Sequence, residues 1–142
     1  MADHIARVET DIRATPEHVW HLLTQPGSNP DIMFGAEVVS DWLVGSPIRW
    51  KGEWEGKSFE DKGEIVEIDP PSRLVVTHFS PMSGDDDVAE NYHRLSYELE
   101  RSDDGTHVTL EQGGNKTADA AEHSSANWQA MLDGLKKAAE NP

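Results

Sequence analysis

Four polar side chains stand where strand alternation otherwise calls for apolar ones: His78, His93, Tyr97 and Gln112. His93 and Tyr97 alternate with Leu95 and Leu99 on one face, opposite Arg94, Ser96 and Glu98, while Gln112 continues the face begun by Val108 and Leu110. For His78 two assignments compete, since either Leu74, Val76 and His78 or Val75, Thr77 and Phe79 can face inward. A polar group in an interior needs a protein partner, a water or a ligand. Imidazole titrates near neutral pH, so a buried histidine is equipped to bind a ligand or to move a proton. The competing reading is that each histidine is satisfied within the core. Trp50, Trp128 and Met131 add apolar surface that either lines a binding cavity or packs as plain core. No residue is assigned a catalytic role.

Other chemistries find little support. The chain has seven histidines, and His18 and His21 are spaced i, i+3, but no third ligand is tied to them, so no metal site is expected. Asp85-Asp86-Asp87 lacks the spaced ligands and turn glycine of a calcium loop. There is no cysteine, which excludes thiolate catalysis, and no Gly-x-Ser-x-Gly elbow. Gly113-Gly114-Asn115-Lys116 lacks the spacing of a phosphate-binding loop, so neither nucleotide hydrolysis nor any cofactor is expected.

Charge narrows the partners. Twelve basic and 27 acidic residues give a net charge of -15, so nucleic acid and anionic membrane surfaces are disfavoured. The opening MADHIARVETDIRA lacks a signal peptide's apolar run, and no stretch approaches the ~18 apolar residues that span a bilayer. A soluble protein in the cytoplasm is the expectation.

These side chains must be positioned by a small set of elements, and 142 residues fit one domain, 1-142. Alternation over Ala6 to Ile12 predicts a first strand, and Thr15-Pro16-Glu17 supplies the cap, proline and acid of a helix start. In that helix Val19, Trp20, Leu22 and Leu23 cluster on one side before Pro26, Gly27 and Pro30 break the pattern. Short apolar runs from Ala36 to Val76, punctuated near Gly45, Gly56 and Pro70, predict an antiparallel meander; Ile48, Trp50, Gly52 and Trp54 share one face of its second strand. Two further runs, Asn91 to Glu100 and Thr106 to Gln112, are joined at Asp104-Gly105. From Thr117 to Glu140 the period becomes helical, with Ala121, Ser124, Trp128, Met131, Leu132 and Leu135 on one face and fraying after Lys137. The predicted class is α+β, a sheet of six to seven antiparallel strands whose apolar face is covered by the last helix.

Several of these segments resemble a known family. Val19-Trp20-His21-Leu22-Leu23-Thr24, the stretch Gly63 to Val75 with its Glu67-Ile68-Asp69-Pro70-Pro71, Asp104-Gly105-Thr106 and Asn127-Trp128-Gln129-Ala130-Met131-Leu132 are similar to the hallmarks of the activator-of-Hsp90-ATPase-homologue branch of the START-like superfamily. The resemblance implies a helix-grip fold with a mainly apolar cavity beneath the C-terminal helix, and it favours Leu74, Val76 and His78 as the inward face. The superfamily includes lipid and hormone carriers, polyketide cyclases and chaperone-linked domains, so fold does not fix activity. His78 stands where the family often has an aromatic, and Asn127 where it usually has glycine. No counterpart is seen of the separate domain through which Hsp90 activators make much of their contact, so a chaperone partner is not the first expectation.

The leading expectation is a carrier or sensor of an apolar or aromatic small molecule, with Trp50, Trp128 and Met131 as walls and His78, His93, Tyr97 and Gln112 as polar lining. The alternatives are a chaperone-linked interaction module and a cyclase- or hydrolase-like enzyme using a cavity histidine. A homodimer is compatible with each.

Overall fold

The computed structural model describes residues 4–25, 36–54, 56–80 and 86–140, with the side chains of Trp54 and Ala89 outside that description. The expected helix break at Pro26, Gly27 and Pro30, the inward side chain of Trp54 and Asp85 of the acidic run Asp85-Asp86-Asp87 therefore lie outside the described residues.

Alternation in the first segment yields β1 (His4–Ile12), which buries Ala6, Val8 and Ile12 and exposes Arg7, Glu9 and Asp11. In α1 (Pro16–Thr24), Thr15 Oγ1 accepts the His18 N–H at 3.2 Å, Pro16 takes the first turn, and Val19 and Leu23 are buried. The meander follows as β2 (Glu37–Ser40), β3 (Pro47–Trp54), β4 (Lys57–Asp69) and β5 (Arg73–His78). A 3-10 turn at Ala89–Asn91 leads into β6 (His93–Ser102), β7 (Gly105–Asn115) and the long α2 (Ala118–Glu140). All seven strands are antiparallel to their neighbours, in the order β1-β7-β6-β5-β4-β3-β2. This is the helix-grip architecture. α2 lies on β1 and β7, touches α1, and buries Trp128, Met131, Leu132, Leu135 and Ala139 into one core with Ile48, Ile65, Val76, Leu95 and Leu110. Ala121 and Ser124, on the same stripe nearer the start of the helix, are only half-buried.

β5 explains why alternation alone left two answers. Leu74 and Val76 join the core beneath α2 with His78 on their side, but Val75 and Phe79 are buried as well, Phe79 by stacking on Tyr92 with ring centroids 5.0 Å apart. Both faces are covered, so apolar content does not distinguish them.

Two expectations are corrected. The β6–β7 hairpin pairs Ser102 with Gly105, so Asp103 and Asp104 occupy the turn and Gly105 opens β7. Glycine is required there for a different reason: at φ +153°, a Cβ would lie 2.1 Å from Ile12 O. The end of α2 is also docked rather than frayed. Ala139 is buried, and Glu140 Oε2 accepts the Arg13 N–H at 2.9 Å and a Lys136 Nζ hydrogen at 2.6 Å, while Lys136 Nζ also donates to Asp11 O at 2.7 Å. The other end is capped by Thr117 Oγ1, which accepts the Ala120 N–H at 3.0 Å.

Candidate functional site

Register brings distant residues to one end of the sheet's inner face. Pairing of β3 with β4 sets Trp50 opposite Asp61, and pairing of β5 with β6 sets His78 opposite His93. Between these pairs the β4–β5 ladder is irregular. Lys62 and Phe79 exchange backbone hydrogen bonds at 3.0 and 2.8 Å, but the Glu64 N–H turns to Thr77 Oγ1 at 2.9 Å. Gly63 lies against Thr77, and a Cβ on it would fall 1.7 Å from Thr77 O. The backbones approach there more closely than any side chain permits.

His78 is the hub. Its ring meets Trp50 edge-on with centroids 4.9 Å apart, meets Trp128 edge-on at 6.4 Å, and lies 6.5 Å from the ring of His93. Its Nε2 is 2.9 Å from Asp61 Oδ2, and the two side chains are only 13% and 17% exposed. A carboxylate only accepts, so the hydrogen belongs to Nε2, and in the neutral ring Nδ1 carries a lone pair. His93 is fixed the other way round, Nδ1 donating to Gly113 O at 2.9 Å.

Three buried side-chain atoms have no hydrogen-bond partner among the described residues: His78 Nδ1, Asp61 Oδ1 and Gln112 Oε1. Two belong to the hub. Gln112, 5% exposed, lies one row further along the inner face, opposite Leu95 and Ala6. Each such atom costs roughly 1–3 kcal/mol unless something meets it. By contrast the neighbouring Asn115 is satisfied: its Nδ2 donates to His4 O and Gln112 O at 3.0 Å each, and its Oδ1 accepts from Ser124 Oγ at 3.0 Å. That residue ties β1, β7 and α2 together.

The residues singled out from sequence thus divide. Trp50, His78, His93 and Trp128 form one cluster by direct ring contacts. Gln112 lies a row away. Tyr97 lies two rows from His93, paired with Leu74 and Leu110, and burial pushes its phenol far above the ordinary range. Met131, a turn beyond Trp128 on α2, is 1% exposed and packs within the core.

Asp61 was missed, and a signal existed for it. Phe59, Asp61, Gly63 and Ile65 alternate toward the inner face of β4, and only the strongly polar composition of this strand hid the pattern. A groove of about 460 Å³ also opens on the opposite face of the sheet, lined by Arg49, Lys62, Glu64, Thr77, Asp87 and Tyr92, but it shares no residue with the cluster. Among the described residues no group of three or more His, Asp or Glu side chains is gathered for a metal ion, and no helix is long and apolar enough to cross a membrane.

Comparison with known proteins gives a consistent picture. A family profile described as "Activator of Hsp90 ATPase homolog 1-like protein" matches residues 13–140. A protein from Cytophaga hutchinsonii, known by its solution structure, is 48% identical over 96% of this chain and 94% of its own, with a TM-score of 0.78. The Aha1 dimer from Colwellia psychrerythraea is 22% identical over 99% and 98%, with a TM-score of 0.69. A protein from Chromobacterium violaceum is 19% identical over 98% and 99%, with a TM-score of 0.75. The last two likenesses support the fold alone. No curated protein matches the chain significantly.

Proposed function

The chain belongs to the activator of Hsp90 ATPase homolog 1-like family, and from that premise we propose that it is a small-molecule binding protein of the cytoplasm. Its ligand site is the Trp50–His78–Trp128 cluster between the sheet and α2. One observation carries this reading: buried His78 Nδ1, on a ring that meets two indoles, and buried Asp61 Oδ1 beside it have no partner within the protein's described residues. Polar atoms so placed are the usual anchors of a mainly apolar ligand site. Two indoles supply flat apolar walls, and Met131 and Gln112 extend the lining along α2 and β7.

The test is a native mass spectrum of purified protein beside its denatured mass, with extraction of whatever is lost between them. A retained small molecule, released on replacing His78 or Asp61 in a folded variant, is the expected result. A clean apo mass, together with no movement of the Trp50 and Trp128 indole resonances across a library of small aromatic compounds, would sink the reading.

A second reading rests on a different surface. Val39, Leu43 and Val44 are 44–66% exposed beside β2, an edge strand, where apolar side chains invite a protein partner or a second copy. Sedimentation of the purified protein, and capture of an ATP-dependent chaperone in one-to-one ratio, would support it; loss of neither on replacing Leu43 and Val44 by Ser would remove that surface.

A further inference from the structure

We infer that the site selects ligands that donate hydrogen bonds, such as phenols, over apolar isosteres and over anions. The inference rests on the binding site proposed above and names its substrate class. All three orphaned atoms are acceptors. Asp61 Oδ1 is a carboxylate oxygen, Gln112 Oε1 an amide carbonyl, and in the neutral ring, whose hydrogen the Asp61 contact holds on Nε2, His78 Nδ1 has a lone pair. Gln112 is 95% buried, at 5% exposure, and faces the same inner surface.

The sign of the demand follows. A group that only accepts, such as a carboxylate or phosphate, would leave all three orphaned acceptors unmet, and its charge would face Asp61. A hydroxyl or amine on an aromatic ring meets one of the acceptors while its ring lies against Trp50 or Trp128. Leaving a buried acceptor unmet is what a site of this kind rejects most strongly, so an analogue lacking the hydroxyl loses more than its apolar surface gains.

Phenol, toluene and benzoate make the test, because methyl replaces hydroxyl at nearly constant shape and benzoate presents only acceptors. Affinities are read from titration shifts of the assigned Trp50 and Trp128 indole N–H resonances. Phenol should bind at least tenfold tighter than toluene, against the order that apolar burial alone would give, and benzoate should bind more weakly than either. His78→Phe and Gln112→Met then locate the acceptor. A fall of the phenol preference to about threefold or less in either folded variant, with toluene affinity retained, supports the assignment. Equal binding of phenol and toluene by the unaltered protein, or a preference that survives both variants and also Asp61→Leu combined with His78→Phe, overturns the donor rule while leaving the binding site standing. Absence of any shift with all three probes overturns both.

Discussion

His78 Nε2 stands 2.9 Å from Asp61 Oδ2, on two strands whose regular pairing is broken beside them. Among the described residues each side chain is the other's only polar side-chain contact, in a largely buried setting, so removing one leaves the other to bear the cost of burial without a partner. Asp61→Ala should therefore destabilise the protein by about 1–3 kcal/mol. Asp61→Leu combined with His78→Phe should cost less than the two single changes summed, by about 1 kcal/mol, because neither polar group is then stranded. Urea unfolding of the four proteins measures the difference. Simple additivity would mean that the two groups do not hold each other.

The close approach at Gly63 supplies a second prediction. An added methyl would sit 1.7 Å from Thr77 O and 2.6 Å from Thr77 C, backbone atoms that cannot rotate out of its way. Gly63→Ala should cost roughly 2 kcal/mol or more and, by pushing β4 from β5, should shift the His78 ring resonances. A variant as stable as the parent, with unmoved His78 signals, would show that the ladder break is not what positions the imidazole.

Much of this fold can be read from residue order, because alternation, Pro16, the threonine caps and the 3.6-residue stripe of α2 each act locally. The site divides differently. His93 and Gln112 are legible since their strands have one apolar and one charged face. His78 needed the family resemblance, because Val75 and Phe79 are buried too. Asp61 escaped altogether: in a strand reading Lys57-Ser58-Phe59-Glu60-Asp61-Lys62, inward and outward acids look alike until Trp50 and His78 are placed against one of them. Gly105 was legible as a turn glycine, yet the atom that demands it, Ile12 O, lies on a strand 93 positions earlier and could only come from tertiary structure.

His107 offers a test of pH dependence away from the site. Its Nδ1 lies 2.7 Å from Asp11 Oδ1 and its Nε2 2.9 Å from Glu9 Oε1, and these carboxylates, Asp11 first, raise its pKa above the ordinary 6.5. Glu100 lies opposite it on β6, and Arg7 shares Glu9. A raised folded-state value means that the pair's stabilisation is fully present below about pH 6.5 and is lost as pH rises through the higher folded value. The side chain is 35% exposed, so solvent screens the effect and a small slope is expected. In a proton NMR titration, the His107 midpoint should lie above that of a model peptide and fall in Asp11→Asn. A midpoint indifferent to Asp11 would assign the shift elsewhere.

The acidic surface leads to the last prediction. With 27 acidic and 12 basic residues, charges of one sign crowd a small domain and favour expansion of the chain. The ion pairs work against this only locally. Arg7 is shared between Glu9 and Glu111, Arg73 between Glu67 and Glu98, and Arg101 with Glu17 lies on an exposed surface where such pairs contribute little. Added sodium chloride screens both terms, but the unpaired repulsion is the larger because acids outnumber bases by more than two to one. Raising salt from about 0.05 to 0.5 M, which shortens the screening length from roughly 14 to 4 Å, should therefore raise the melting temperature. The rise should be smaller in a variant with several exposed acids, among them Glu122 and Asp133 on the outer side of α2, replaced by Gln or Asn. A melting temperature that falls with salt would mean that the ion pairs, rather than the net charge, dominate the electrostatics of the fold.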